Sequence, residues 1–378
     1  YDGTDALCSS QRRFFQRIPA VPSPSALRSS ASDLLYQDQQ EAMLRRALRE
    51  EELLSEKTVP KELVAAKVKA SPPKSGTGFA NNQAMDVSTR IAAEQVKIMK
   101  RDGVLRIDSA LSPESSDKLR EYLLQQQVIV DQETENNPRT SKLYYGVEQS
   151  RKNRCDMHLS LLREGIQPTE TSEDAIDQGH VLADALQELL SSEGTLQPVY
   201  EALVTQAGEF YELAGIITNP GSNRQMIHPD LPFQDDAPLY VIFLALQDVT
   251  TDMGPTSFLV KSHTKKAIQV FDGGDMESKD EQLRLANCRL ATLKKGDVVL
   301  FDARILHCGG ANDIETGGTR VMLNFSFRNS KVQGDIGYKG SIMPGYAGAM
   351  TLGDVSDALD RYKGGELDPF AAYGNGLN

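Results

Sequence analysis

The chain has 378 residues, 39% hydrophobic and 25% charged, an ordinary composition for a globular protein with enough chain for one large domain or two smaller ones. A formal net charge of -12 argues against nucleic acid as a default partner, and no basic run longer than a few residues offsets it. No run of about 18 apolar residues is present, so the sequence offers no transmembrane helix.

Residues 6–32 carry four arginines, seven serines and no acid. That composition fits the end of a transit segment, which would place the protein in a plastid or mitochondrion, and it fits equally a disordered arm of a cytoplasmic protein. Such an arm would need a protein partner to order it. From Asp33 to about Lys57 the pattern is helical, with Ser32 or Asp33 as cap and a broken apolar stripe through Leu35, Met43, Leu44, Ala47, Leu48 and Leu54. This extension over 33–69 is highly charged and has no core of its own, so it packs on the main domain, on another protein, or stays solvated. ASPPKSGTGFANN lies in a linker over 70–84.

The compact domain is expected over 85–350, with a C-terminal tail over 351–378. A helix ends at Gly103, the short strand VLRID follows, and a second helix is capped by Ser112 with Pro113 in its first turn. Residues 130–155 read as a long polar loop, and Arg139, Lys142, Tyr144, Tyr145, Arg151 and Arg154 make it a candidate lid. Helices are expected at about 175–193 and 196–204. From Glu209 onward six short apolar runs separated by glycines read as strands. The fold class is therefore mainly β with flanking helices: a sandwich or barrel behind a helical N-terminal extension. Cys8, Cys155, Cys288 and Cys308 are scattered with no CxxC pair, which argues against a cysteine zinc site or a disulfide scaffold and for a reducing compartment.

Only five histidines occur, and two of them draw attention. In QMIHPDLPF, His228 and Asp230 lie two apart and project to the same side of an extended segment. In DVVLFDARILHCGG, His307 lies at the far end of a strand that leaves the turn at Gly296. Two histidines and one carboxylate can occupy one face of Fe(II) and leave three positions open, and the same set could hold zinc for hydrolysis. Arg320 separates these readings. A hairpin through NDIETGGT would return it beside the histidine strand, where a guanidinium can clamp the far carboxylate of a chelating keto diacid. That is the logic of Fe(II)/2-oxoglutarate chemistry. In RVMLNFSFRN, Val321, Leu323, Phe325 and Phe327 form a packing face, while Arg320, Met322, Asn324, Ser326 and Arg328 meet solvent or line a wet cavity.

Four segments in order carry a resemblance: RDGVLRIDSALSPE at 101–114, HPD at 228–230, MGPTSFLVKSH at 253–263 and FDARILHCGGAN at 301–312. Over about 85–345 the chain resembles the phytanoyl-CoA dioxygenase family of Fe(II)/2-oxoglutarate oxygenases. The resemblance implies a double-stranded β-helix, or cupin-like jelly roll. It also implies His228, Asp230 and His307 as iron ligands and Arg320 on the distal carboxylate of 2-oxoglutarate. Asn312 and Ser326 would support the cosubstrate end, O2 would be the oxidant, and ascorbate is a candidate reductant. His263 is expected to cap a helix, His158 to be structural or to face the cavity, and His180 has no role. Val260-Lys261 replaces a Pro-Gly common in similar proteins, and Gly309 replaces a serine, so one cosubstrate hydrogen bond is missing or supplied elsewhere. The expected activity is oxidation, by hydroxylation or otherwise, of a C–H bond in a small amphipathic or lipid-like molecule. The alternatives are a catalytically silent jelly-roll subunit of a larger assembly and a zinc-dependent cupin-like hydrolase.

Overall fold

A computed structural model of the chain describes residues 31–56, 60–65, 87–146, 153–167 and 180–373. The arm up to residue 30, the linker at 70–84, Arg151 and the start of the helix expected at 175–193 lie outside them. The chain divides into two compact units at Met43. Among the described residues the first unit consists of the opening part of helix α1 (Ala31–Glu56). The remainder of α1 and every other element belong to residues 44–378.

Helix α2 (Val87–Asp102) stops where the sequence predicts, with the Gly103 N–H bonded to the Met99 carbonyl and φ at +77°. After strand β2 (Val104–Ile107), helix α3 (Pro113–Asn136) opens on Ser112, whose Oγ accepts from the Ser115 N–H at 3.2 Å. The loop expected over 130–155 is mostly regular structure. Helix α3 runs on to Asn136, and a short helix α4 (Ser141–Tyr144) and strand β3 (Arg154–His158) follow. Polar letters hid the continuing buried stripe, because Gln126 and Glu133 stand in it with Leu119, Tyr122, Leu123 and Val130. Gln126 is held by the Ile166 N–H at 2.6 Å. Tyr144 and Tyr145 are core residues, not lid residues, and the Tyr145 hydroxyl donates to Asp131 at 2.5 Å.

Helices α5 (Val181–Leu190) and α6 (Gln197–Val204) precede strands β4 (Glu209–Thr218), β5 (Leu239–Ala245) and β6 (Thr256–Val260). Then come α7 (Lys265–Gly273), α8 (Met276–Leu285), β7 (Asn287–Leu290), β8 (Val298–Asp302), β9 (His307–Gly309), β10 (Arg320–Arg328) and α9 (Leu352–Lys363). The strands make two sheets, β2-β8-β5-β10-β4-β3 and β1-β7-β6-β9, where β1 (Lys61–Glu62) runs parallel to β7 and all other pairs are antiparallel. This is the double-stranded β-helix expected from the sequence.

The alternation on β10 explains the layering. Val321, Leu323, Phe325 and Phe327 pack outward under the helices, with the Phe327 and Tyr200 ring centroids 4.9 Å apart. Apart from Arg328 at its end, the opposite face does not meet solvent. Arg320, Asn324 and Ser326 are buried there, turned toward the space between the sheets. A second apolar cluster, including Val241, Phe258 and Phe301, fills the rest of that space.

The segments 44–56, 60–65 and 351–373 are more integral than their composition suggests. Ala47, Leu53 and Leu54 of α1 are buried, and Leu63 packs beside β1. The expected tail forms α9, whose Leu352, Val355, Ala358 and Leu359 join Phe370 in the helical core. Among the described residues no helix is long and apolar enough to cross a membrane.

Candidate active site

Strand β8 ends at Asp302, where a buried ion pair to Arg304 at 2.6 Å and the Ile305 N–H bonded to the Asp302 carbonyl turn the chain. His307 is thus not the end of that strand. The chain crosses to the other sheet, and His307 opens β9 there, opposite Phe258 of β6. The segment around His228 lies along its other edge. The His228 N–H bonds to the His307 carbonyl at 3.0 Å, the His307 N–H to the His228 carbonyl at 2.9 Å, and the Asp230 N–H to the Ala303 carbonyl at 2.9 Å. Backbone pairing alone therefore brings the three side chains together.

One ligand atom from each of His228, Asp230 and His307 lies within 4.8 Å of the others. The two Nε2 atoms stand 3.8 and 3.5 Å from the same Asp230 Oδ1. Each ring meets a carbonyl through Nδ1, His228 at Met226 (2.8 Å) and His307 at Ile305 (3.0 Å). A carbonyl only accepts, so both Nδ1 atoms carry the proton and both Nε2 lone pairs face the carboxylate. Burial pushes the His307 pKa down to about 4, which keeps its imidazole neutral and ready to coordinate. The donor set of two neutral imidazoles and one carboxylate fits a ferrous ion.

These residues open onto a cavity of about 250 Å³ floored by β5, β10, β4 and β3. Arg320 is brought to it, though not by the expected hairpin: residues 310–319 cross between sheets, and β10 pairs with β4 and β5. The guanidinium is 2% exposed, donates to the Gly254 carbonyl and to Thr218 Oγ1, and keeps its Nε unpartnered. Among the described residues it makes no ion pair. Burial, then the charge of Arg154, push its pKa down to about 9, which still leaves it charged at neutral pH. Such an uncompensated buried cation fits the far carboxylate of 2-oxoglutarate.

Arg154 is a site residue that reading it as a lid cation missed. Thr218 is the cross-strand neighbour of both Arg154 and Arg320, so two guanidiniums flank it on the cavity floor. Gly309 makes the room: a Cβ there would lie 2.9 Å from Arg154 Nη1 and 2.7 Å from Gln225 Oε1. The other two missed residues are Asp156 and Glu212, also on the cavity wall. An acid inside the apolar run FYELAGIIT was the available signal for Glu212.

Asn312 and Ser326 are not brought into the cavity. Asn312 donates to the Thr218 and Gly318 carbonyls at 3.0 and 2.9 Å, so it ties together the backbone that carries Arg320. Ser326 shares the face of Arg320 but stands six residues along β10, roughly 20 Å away at strand rise, across from Glu212. His158 bonds the Leu143 carbonyl at 2.9 Å, and His180 caps α5. His263 does serve a helix end: its Nε2 meets the Lys100 carbonyl at 3.2 Å at the close of α2, and it packs so tightly on Gly103 that a Cβ there would lie 2.4 Å from Nδ1. Beside it Ser262 Oγ accepts from the Leu306 N–H at 2.8 Å, one residue before His307. Lys261 holds φ at +70°, a left-handed conformation that suits the glycine the resemblance leads one to expect there.

The phytanoyl-CoA dioxygenase (PhyH) family pattern matches residues 99–321, more than half of the chain. The chain belongs to the phytanoyl-CoA dioxygenase family. Members of this family use Fe(II), 2-oxoglutarate and O2, and the chain is accordingly an Fe(II)/2-oxoglutarate oxygenase-type enzyme. No curated protein sequence matches it. Among solved structures, HygX from Streptomyces hygroscopicus with nickel, 2-oxoglutarate and hygromycin B bound is 14% identical, covering 66% of this chain and 96% of that one, with a TM-score of 0.40. The non-heme α-ketoglutarate-dependent epimerase SnoN from nogalamycin biosynthesis is 14% identical, covering 67% and 96%, with a TM-score of 0.39. Those two likenesses are remote, and the family assignment rests on the sequence match.

Proposed function

We propose that this chain is an Fe(II)- and 2-oxoglutarate-dependent dioxygenase that oxidises a C–H bond of a small molecule, by hydroxylation or a related oxidation. The observation that carries the reading is the convergence of His228, Asp230 and His307 within 4.8 Å at a cavity that also holds the unpaired Arg320.

When bound, Fe(II) and 2-oxoglutarate supply the oxidising power, with 2-oxoglutarate and O2 giving succinate and carbon dioxide. The chain's own residues supply geometry. His228 and His307 present neutral Nε2 donors because the Met226 and Ile305 carbonyls hold the other nitrogen protonated. Asp230 offers the single carboxylate, and Pro229 stiffens the link between two ligands. Arg320 would hold the far carboxylate of 2-oxoglutarate, and Arg154, whose Nη1 lies 2.9 Å from where a Cβ at Gly309 would stand, would provide a second donor at the same end. A zinc hydrolase has no use for this paired cationic end, and a silent assembly subunit has no need to keep all three ligands. Tyr144 and Tyr145, expected in a lid over the site, are core residues instead and lend no support to an amphipathic or lipid-like substrate.

The test is anaerobic addition of Fe(II) and 2-oxoglutarate to metal-free protein. A visible charge-transfer band is expected, abolished in Asp230→Ala and needing at least about tenfold more 2-oxoglutarate in Arg320→Ala, a loss typical of one charge-assisted pair. Tight zinc uptake with no band would sink the oxygenase reading.

A further inference from the structure

The cavity floor has two unlike ends. Paired strand register sets Arg154, Thr218 and Arg320 in one row and, six residues along β4, Glu212 opposite Ser326. Glu212 is 6% exposed and no cation is bonded to it among the described residues. Its Oε1 accepts from the Tyr338 hydroxyl at 2.9 Å, and its Oε2 has no partner. Asn324, one step from that end on β10, also lines the cavity and leaves its buried Oδ1 unpartnered. The neighbouring wall is hydrocarbon, from Val241 and Phe243 of β5.

Charge points the same way. Two guanidiniums, Arg154 and Arg320, face three carboxylates, Asp156, Glu212 and Asp230. A ferrous ion and a 2-oxoglutarate dianion would cancel each other, so with all three acids ionised the loaded cavity keeps one uncompensated negative charge, and Glu212 stands six residues along β4 from the arginine row. A buried carboxylate with a free oxygen is costly unless a ligand completes it.

We propose that Glu212, assisted by Asn324, is the substrate-recognition group, and that the substrate is a small primary amine whose ammonium docks on Glu212 while its carbon frame lies along Val241 and Phe243. This rests on the oxygenase reading, which assigns the arginine end to 2-oxoglutarate and leaves the acidic end for substrate. An amine so held reaches from Glu212 toward Asp230, and the length of its carbon frame sets which C–H bond is presented to the metal site.

Three probes with one carbon frame test it: hexylamine, hexanol and hexanoate, titrated by calorimetry into protein holding Fe(II) and 2-oxoglutarate without O2. Hexylamine should bind at least tenfold tighter than either of the others, and Glu212→Gln should erase the preference while the charge-transfer band stays. Asn324→Asp, which adds a second acid, should strengthen hexylamine binding severalfold and serves if Glu212→Gln fails to fold. Equal or tighter binding of hexanol or hexanoate, no measurable binding of hexylamine, or a preference that survives Glu212→Gln overturns the proposal. Failure of the band in the wild type overturns the oxygenase reading instead, and the head-group preference is then read on metal-free protein.

Discussion

At Glu212 the folded chain holds a proton more tightly than the unfolded chain does, because burial pushes the carboxyl pKa up to about 7 from 4.5. The stability this proton brings is fully present below pH 4.5 and is lost as pH rises through about 7. Glu212→Gln removes that dependence. Its stability relative to the wild type should therefore grow by on the order of 3 kcal/mol between pH 4 and pH 8, read from denaturant melts of metal-free protein. A difference that stays flat with pH would mean that the carboxyl is hydrated. The contrast with the metal-site residues shows what a sequence exposes at this scale. His228 and His307 stand out because histidine is rare here, and Asp230 because it follows at a spacing that faces the same way. Glu212 and Arg154 carry common letters, and only strand register shows that both face inward.

The second half of α1 reaches the His228 segment through one carboxylate. Glu50 is buried, and its Oε2 accepts from the Ile227 N–H at 2.7 Å, one residue before His228. Arg46 holds the other oxygen at 3.0 Å, and ion pairs from Arg49 to Asp280 and Arg284 to Glu56 fasten the flanks. Glu50→Ala would strand a buried N–H, a loss of about 1–3 kcal/mol, and should loosen the His228 segment. The expected outcome is a lower melting temperature together with weaker Co(II) binding, while Glu50→Gln, which keeps an acceptor, falls between. Lower stability with unchanged Co(II) affinity would reduce the helix to a cover. The sequence showed the helix but not its target, since the apolar stripe is broken and the decisive contact joins residues 177 apart. Strands β4, β5, β6, β8 and β10 were legible because each is an apolar run bounded by turn residues, whereas β1 and β3, with the letters KE and RCDMH, were not. The partition of β8 and β9 between two sheets was not, because FDARILHCGG reads as one continuous strand until the Asp302–Arg304 pair is seen to turn it.

Across residues 44–378 the jelly roll depends on helices that precede and follow its strands in the chain. Removing residues 351–378 would take away α9 and Phe370 and uncover α5 and the outer face of the large sheet. Several large apolar side chains would be exposed at about 1.5–3 kcal/mol each, more than the usual stability of a whole domain can absorb. The truncated chain should be insoluble or lack a cooperative melt, and a soluble, cooperatively melting product would contradict the core described above. From sequence alone this segment reads as a tail, and the apolar residues of the amphipathic α9 matter only once the sheet beneath them is known. The mutual backbone pairing of His228 and His307 has a separate thermodynamic meaning. Those hydrogen bonds form as the sheet forms, so the folded polypeptide pre-assembles the ligand triad before any ion arrives. Metal uptake then spends none of its free energy on ordering the chain, and the affinity it shows appears in full as added resistance to unfolding that scales with the logarithm of free metal concentration.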